Sequence, residues 1–119
     1  MPTLIEKPSR FPQEAIVIEE FFGKISDKQS AFSLGRLSSG EGWSEPAQRP
    51  DFDEYSLVLS GALYITAEDG SVTIVRGGQA AVVRKGERIQ YSTPEPGGAE
   101  YISLCIPAFV PELAHRDPL

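Results

Sequence analysis

The chain has 119 residues, of which 40% are hydrophobic and 24% are charged, and its formal net charge is −6. This length fits one domain with a single apolar core. We expect no nucleic-acid partner, because binding to phosphates needs clustered Lys and Arg. Every apolar run is too short to cross a bilayer, and the N-terminus lacks the core of a signal peptide. A cytoplasmic protein without a membrane partner is therefore expected.

The chain is predicted to be all-β, because short apolar stretches alternate with turn residues and no long segment has a helical period. In chain order, strands are predicted at 15–22, 30–37, 54–60, 62–67, 71–76, 79–84, 88–92 and 100–106. A single helical turn is predicted from Pro111. Short strands without crossover helices indicate an antiparallel sandwich or a small barrel, and closure of a barrel removes exposed sheet edges.

Alternation of side chains along each strand assigns residues to faces. Glu54, Ser56 and Val58 share one face of the strand predicted at 54–60, whereas Leu57 and Leu59 share the other. The strands at 88–92 and 100–106 also have one apolar face and one mixed face. A mixed face that points into a small barrel forms a pocket with polar anchors.

Two stretches resemble the two sequence motifs of the cupin superfamily. Gly42, Glu54 and Gly61 match the Gly, Glu and Gly of the first motif in type and spacing, and Gly78 and Gly86 match the second motif. The resemblance implies a cupin-type double-stranded β-helix, a jelly-roll barrel of two antiparallel sheets. It makes 1–119 a single cupin domain, with an N-terminal strand segment at 1–29, a barrel core at about 30–107 and a C-terminal tail at 108–119.

The positions that hold a metal in most cupins have other residues here. The resemblance implies three His and one Glu, and this chain has Gln48, Pro50, Glu54 and Ile89 at those positions. Pro50 and Ile89 offer no ligand atom, and one carboxylate with one amide is too few for a tight transition-metal site. We therefore expect a degenerate metal site, with no metal and no cofactor.

One branch of cupins, the ethanolamine-utilisation type, also lacks these His residues. The chain resembles this branch in the segments 52–63 and 91–94, at Tyr101 and at Pro107-Ala108. The resemblance implies an association with bacterial microcompartments. An acetate kinase activity has been proposed for the branch, but we do not expect it here, because the chain has no Gly-rich phosphate loop.

Glu54 is the main candidate for ligand binding and for catalysis. If its face points into the barrel, its charge must be paired or its pKa must be raised. It would then anchor a ligand or act as a general acid or base. The alternative is a carboxylate at the barrel rim, in contact with solvent or paired with Arg49 or Arg88.

Gln48, Tyr91, Thr93 and Trp43 are the other predicted ligand-binding residues. Gln48 is singled out by its spacing from the motif residues, although a polar residue is also expected in such a loop. The hydroxyl of Tyr91 would either orient a ligand or complete a core hydrogen bond. Trp43 would line the barrel opening or cover the core.

The single His and the single Cys have plain alternatives to a functional role. His115 lies in a polar tail and would reach the barrel only if the tail folds back over the opening, which Pro107 and Pro111 would help to direct. Cys105 is expected to be a buried, small apolar residue.

Three functions remain open at this stage. The first is a module that binds a small polar or anionic molecule. The second is an enzyme of isomerase, lyase or oxygenase type that uses Glu54 as acid or base, with or without an atypical metal. The third is a non-catalytic assembly protein. A pocket carboxylate that titrates near neutrality would favour the enzyme, and a packed lumen would favour assembly.

A homodimer is expected. The apolar segment that contains Ile16, Ile18, Phe21 and Phe22 has few other places to be buried in a barrel of this size.

Overall fold

The computed structural model of the protein describes residues 1–118. Within them the chain forms nine strands and one short helix. In chain order these are β1 Ser9–Pro12, β2 Ile16–Phe22, β3 Ser33–Ser39, β4 Trp43–Ser44, β5 Asp53–Ala67, β6 Val72–Arg76, β7 Ala80–Val83, β8 Ile89–Thr93, β9 Ala99–Ile106 and α1 Pro111–Ala114.

The strands form two antiparallel sheets that share one strand. The larger sheet has the order β1-β2-β3-β9-β5-β7, and the smaller has the order β6-β5-β8-β4. The N-terminal half of β5 lies in the larger sheet and its C-terminal half lies in the smaller one. The predicted all-β jelly-roll barrel of two antiparallel sheets is confirmed.

Strand β5 corrects one feature of the sequence prediction. The strands predicted at 54–60 and 62–67 are a single strand, which bends at Gly61 with a φ of 79°. Ser56 and Val58 are buried before the bend, and Leu63 and Ile65 are buried after it. The inward face therefore changes from even to odd residue numbers across the bulge between Val58 and Ser60, just before this glycine.

Two short strands were not predicted. β1 contains Pro12 and pairs only with β2, and β4 has two residues, so neither shows enough alternation to be recognised. The strand predicted at 30–37 lies instead at Ser33–Ser39. The predicted helical turn is present as α1, where Pro111 at the first helical position loses no hydrogen bond.

The core consists of two clusters of buried side chains. The larger is formed by strands of both sheets, and its members are Val58, Leu63, Ile65, Val75, Val83, Ile89, Tyr91, Ala99 and Tyr101. The smaller is formed by Phe52, Cys105 and Ala114, with Phe109 and Leu113 packed against it. No helix in the described part of the chain is long and apolar enough to cross a membrane.

Candidate ligand-binding site

The barrel contains a cavity of about 280 Å³. Apolar side chains from β2, β3, β4 and the C-terminal tail form much of its wall, among them Ile16, Ile18, Leu37, Trp43 and Phe109. Polar residues also line it, among them Glu20, Glu45, Gln48, Glu54, Tyr91, Ser103 and Arg116. The lumen is thus open rather than packed, and it combines an apolar wall with a few polar anchors.

Glu54 faces into this cavity, as its strand alternation predicts. Its Oε2 accepts a hydrogen bond of 2.6 Å from the Ser103 hydroxyl on the neighbouring strand β9. Burial raises the pKa of Glu54, and the bond from Ser103 offsets this only in part. Glu54 is thus a half-buried carboxyl at the cavity wall with a raised pKa.

The alternative position for Glu54, at the rim beside Arg49 or Arg88, does not occur. Arg49 contacts Glu68, and Arg88 pairs with Asp117. Among the residues that the structure describes, Glu54 makes no salt bridge within 4.0 Å. Its carboxyl is therefore not one half of a structural ion pair.

The Tyr91 hydroxyl is the most unusual polar group of the site. Tyr91 is 4% exposed, and its hydroxyl has no hydrogen-bond partner among the residues described. Burial and the nearby Glu54 carboxylate raise the pKa of Tyr91, although the two groups do not reach hydrogen-bond geometry. The phenol therefore stays protonated, and its hydroxyl is closed off from the open part of the cavity.

Gln48 also lines the cavity and is 2% exposed. Its backbone pairs with Ile89 on one side and with Arg116 of the C-terminal tail on the other. Its side-chain Oε1 accepts a hydrogen bond of 3.2 Å from Nε of Arg116. The tail therefore buries Gln48 at the wall of the cavity.

Trp43 and Thr93, the other two predicted ligand-binding residues, lie opposite each other on β4 and β8. Trp43 is partly buried and lines the cavity. Thr93 is fully buried, and its hydroxyl donates to the Gly40 carbonyl at 2.8 Å. Thr93 is not part of the cavity wall, and its role in ligand binding stays a prediction.

Glu45 is a site residue that the sequence did not identify. Its side chain is 16% exposed, and Oε2 accepts a hydrogen bond of 3.3 Å from Arg116. Burial raises the pKa of Glu45 to about 7; the charge of Arg116 lowers it and that of Glu54 raises it. The site thus contains a carboxyl that titrates near neutrality.

The C-terminal tail folds back over the barrel. This was the condition for a functional role of His115. Its backbone bonds to the segment 47–51, for example from Asp117 N to the Ala47 carbonyl at 2.8 Å. His115 faces outward and contacts Asp51 at 2.7 Å. Arg116 is the tail residue that reaches the cavity, and its guanidinium lies 5.3 Å from the centre of the Phe109 ring.

Cys105 is 4% exposed and lies next to Ser103, with 3.8 Å between its Sγ and the hydroxyl oxygen. Burial raises the pKa of its thiol, which stays neutral. No group of three or more His, Cys, Asp and Glu within residues 1–118 is placed to hold a metal ion.

Comparison of the chain with known families finds no family model that matches it. Endoribonuclease YbeY from Myxococcus xanthus is 43% identical over 100 residues, which are 84% of this chain and 34% of that protein. The chain thus spans about a third of the length of the curated relative it matches.

Several solved structures share the fold. The nucleoside dehydratase Pac13 of Streptomyces is 16% identical, with a TM-score of 0.76 over 100% of this chain and 92% of that chain. The EutQ protein of Clostridium difficile is 21% identical, with a TM-score of 0.67 over 87% and 73% of the two chains. A Bacillus subtilis oxalate decarboxylase is 13% identical, with a TM-score of 0.75 over 98% and 33%. All are cupin-fold proteins, so the cupin fold is confirmed.

Proposed function

We propose that this cupin-fold chain binds a small polar molecule in its lumen, with Glu54 and Gln48 as interior anchors and Glu45 and Arg116 beside the opening. The observation that carries the proposal is the cavity of about 280 Å³ inside the barrel, which combines an apolar wall with the side chains of Glu54, Gln48 and Arg116. Such a combination of apolar walls with a few polar groups is typical of small-molecule sites.

The cavity also sets the size of the ligand. A volume of about 280 Å³ corresponds to about nine water molecules at their share of liquid volume. A compound of roughly nine to twelve non-hydrogen atoms fills such a space. An open lumen of this kind also favours ligand binding over the assembly role.

A second candidate is a metal-free acid–base enzyme. A general acid or base works best when its pKa lies near the working pH, and the pKa of Glu45 is raised to about 7 beside the second carboxyl, Glu54. In a dehydration, Glu54 would take a proton from carbon while Glu45 protonates the departing hydroxyl. The C–O bond breaks, a C=C bond forms and water leaves, so no oxidant is required. The dehydratase Pac13 has the same fold, which supports this reaction class.

The endoribonuclease activity named for the Myxococcus xanthus relative is not part of this proposal. Two thirds of that protein lie outside the match. The chain also has 17 acidic against 11 basic residues, which does not suit a phosphate backbone. The cytoplasmic location expected from the sequence is part of the proposal.

Replacing Tyr91 with Phe tests the proposed role of its hydroxyl. We expect the free energy of unfolding to stay unchanged or to rise by about 1 kcal/mol, because the variant removes a buried hydroxyl that has no partner. Tyr64→Phe is the matched control, since the Tyr64 hydroxyl donates to Glu95 at 2.6 Å, and we expect that variant to be less stable. Urea unfolding measures both, and a loss above about 2 kcal/mol in Tyr91→Phe would make its hydroxyl structural.

The homodimer is proposed with a different surface from the one the sequence suggested. Of the four residues that the sequence suggested, Ile16 and Ile18 line the cavity and Phe21 and Phe22 are half-buried. The outer face of the larger sheet, in contrast, exposes Leu57 and Val82, at 45% and 42%. We expect light scattering at micromolar concentration to give twice the mass of the chain, and Leu57→Lys to halve it. A single-chain mass for the unmodified protein would contradict the dimer.

A further inference from the structure

The C-terminal tail consists of two parts that are held in place by different forces. The proximal part, residues 107–114, packs apolar side chains against the barrel. Ala114 is fully buried, and the ring of Phe109 lies 5.8 Å from the ring of Phe52. The distal part, residues 115–118, contributes no side chain to either cluster of the core. Because burial of apolar side chains is the main stabilising force, the distal part depends mainly on polar contacts.

An ion pair fastens the end of the distal part to the barrel. Arg88 donates through both terminal nitrogens to the Asp117 carboxylate, with 2.9 Å between Nη1 and Oδ1. The Asp117 N–H also donates to the Ala47 carbonyl at 2.8 Å. The two side chains of the ion pair are 31% and 43% exposed. Since an ion pair that is so accessible to water stabilises only weakly, the distal part can open while the barrel stays folded.

His115 lies at the junction of the two parts. It follows α1 with a φ of 50° and a ψ of 54°, in the left-handed region of the backbone. This conformation costs free energy in any residue that has a Cβ. A rotation at His115 to an ordinary backbone conformation would release this cost and carry residues 116–118 away from the segment 47–51.

The distal part also forms a section of the cavity wall. Arg116 lines the cavity, where its Nε lies 3.2 Å from Oε1 of Gln48 and its Nη2 lies 3.3 Å from Oε2 of Glu45. Phe109 lines the same cavity but belongs to the proximal part. An outward movement of residues 115–118 would therefore withdraw the guanidinium from the wall and uncover Gln48, which is 2% exposed, while Phe109 stays in place.

We propose that residues 115–118 form a clasp that widens and narrows the opening of the lumen while the barrel stays folded, with His115 as the hinge and the Arg88–Asp117 ion pair as the fastening. This inference goes beyond the proposed function, because it concerns access to the cavity and not what the cavity binds. In the closed state the clasp completes the wall, and in the open state a small molecule enters or leaves beside Gln48.

Amide hydrogen exchange, measured by NMR, tests whether the clasp opens by itself. The Asp117 N–H bonds the clasp to the barrel, whereas the Asp51 N–H donates to the Leu113 carbonyl of the proximal part at 2.8 Å. An amide that exchanges through local opening is insensitive to low urea concentrations, and one that exchanges through global unfolding is accelerated by them. We expect the Asp117 amide to exchange at least about tenfold faster than the Asp51 amide and to be insensitive to low urea concentrations.

The thiol of Cys105 tests whether this opening changes access to the lumen. Cys105 is the single Cys of the chain, lines the cavity and is 4% exposed. Methyl methanethiosulfonate is a small, uncharged reagent that labels a thiol and has to enter the lumen to reach this one in the folded protein. Mass spectrometry of samples taken over time gives the labelling rate.

Replacing Arg88 with Gln removes the fastening. We expect the exchange of the Asp117 amide and the labelling of Cys105 to become faster by the same factor, about two- to fivefold, as the loss of an exposed ion pair allows. Arg36→Gln is the matched control, because Arg36 pairs with Glu19 at 2.8 Å, with 41% and 21% exposure, and neither residue lines the cavity. This control should leave both rates unchanged.

Three results would overturn the clasp. If the Asp117 and Asp51 amides exchange equally slowly and both are accelerated by urea, the tail opens only when the whole protein unfolds. If Arg88→Gln accelerates the exchange but not the labelling, the distal part moves without changing access to the lumen. If Arg36→Gln accelerates both as much as Arg88→Gln does, the effect is a general loss of stability. None of these results decides the proposed binding function, because the experiment uses no ligand of the lumen.

Discussion

The free energy of unfolding is expected to fall by about 3 kcal/mol between pH 4.5 and pH 7, because the folded protein keeps a proton on Glu45 through this range. In the unfolded chain this carboxyl ionises near 4.5, whereas in the folded protein burial raises its pKa to about 7. The folded state therefore binds more protons than the unfolded state between these values, and stability decreases as the pH rises. Glu54, whose pKa is also raised, acts in the same direction.

Three carboxylates at or near the surface have lowered pKa values and act in a different pH range. The hydrogen bonds of Asp69, Glu95 and Asp117 lower their pKa values. The stability that they contribute is present above the pKa of the unfolded chain and is lost as the pH falls through the lower, folded values. Their effect thus lies on the acid side of the range in which Glu45 titrates.

Urea unfolding in steps from pH 4.5 to pH 8 measures the Glu45 effect. The side chain at position 45 of Glu45→Gln cannot ionise. The free energy of unfolding of this variant should therefore change much less with pH than that of the unmodified protein. The Glu41→Gln control should keep the original slope, because Glu41 is exposed. If the unmodified protein is equally stable at pH 5 and pH 7.5, Glu45 ionises normally and the acid–base enzyme loses its main support.

Glu45 and Arg116 could not be found from the sequence because their placement depends on contacts between distant parts of the chain. The two residues are 71 positions apart and meet only because the tail folds back along the segment 47–51. Glu45 also lies in a loop, where no periodic pattern indicates the direction of a side chain. Burial in the folded protein, rather than any local motif, is what raises its pKa, and the charge of Arg116 from the tail lowers it.

Glu54 and Tyr91 could be placed because they lie on regular strands. Alternation along a strand fixes which side chains share a face, so Glu54 was predicted to point the same way as the buried Ser56 and Val58. The same rule placed Tyr91 beside the buried Ile89 and Thr93. The sequence could not indicate that the Tyr91 hydroxyl would lack a partner, since that depends on the position of every neighbouring polar atom in the folded protein.

Gly61 marks the limit of the alternation rule. A glycine within a strand pattern is typical of an end or a bulge, and the strands predicted at 54–60 and 62–67 lie on either side of it. In the structure, β5 continues through Gly61, and its inward face changes parity just before it, at the bulge between Val58 and Ser60 in the pairing with β9. This change keeps Glu54 and Leu63 both facing the interior.

Replacing Gly61 with Ala is expected to lower the free energy of unfolding by more than about 3 kcal/mol. A left-handed backbone costs a residue with a Cβ about 1–2 kcal/mol, and Gly61 has a φ of 79°. The added Cβ would also overlap with the carbonyl oxygen of Gly98. That oxygen accepts the hydrogen bond from Ala62 N at 3.2 Å, so moving it away would weaken the contact between β5 and the segment that leads into β9.

Gly70→Ala separates the cost of the left-handed backbone from the cost of the overlap with Gly98. Gly70 has a φ of 87°, and a Cβ there would meet nothing within 4 Å, so only the backbone cost of about 1–2 kcal/mol is expected. Thermal and urea unfolding of both variants give the comparison, with soluble yield as the readout if Gly61→Ala does not fold. Equal losses would mean that the close approach to Gly98 is relieved at no cost. A larger loss in Gly61→Ala would show that the close approach to Gly98 adds to the cost of the left-handed backbone.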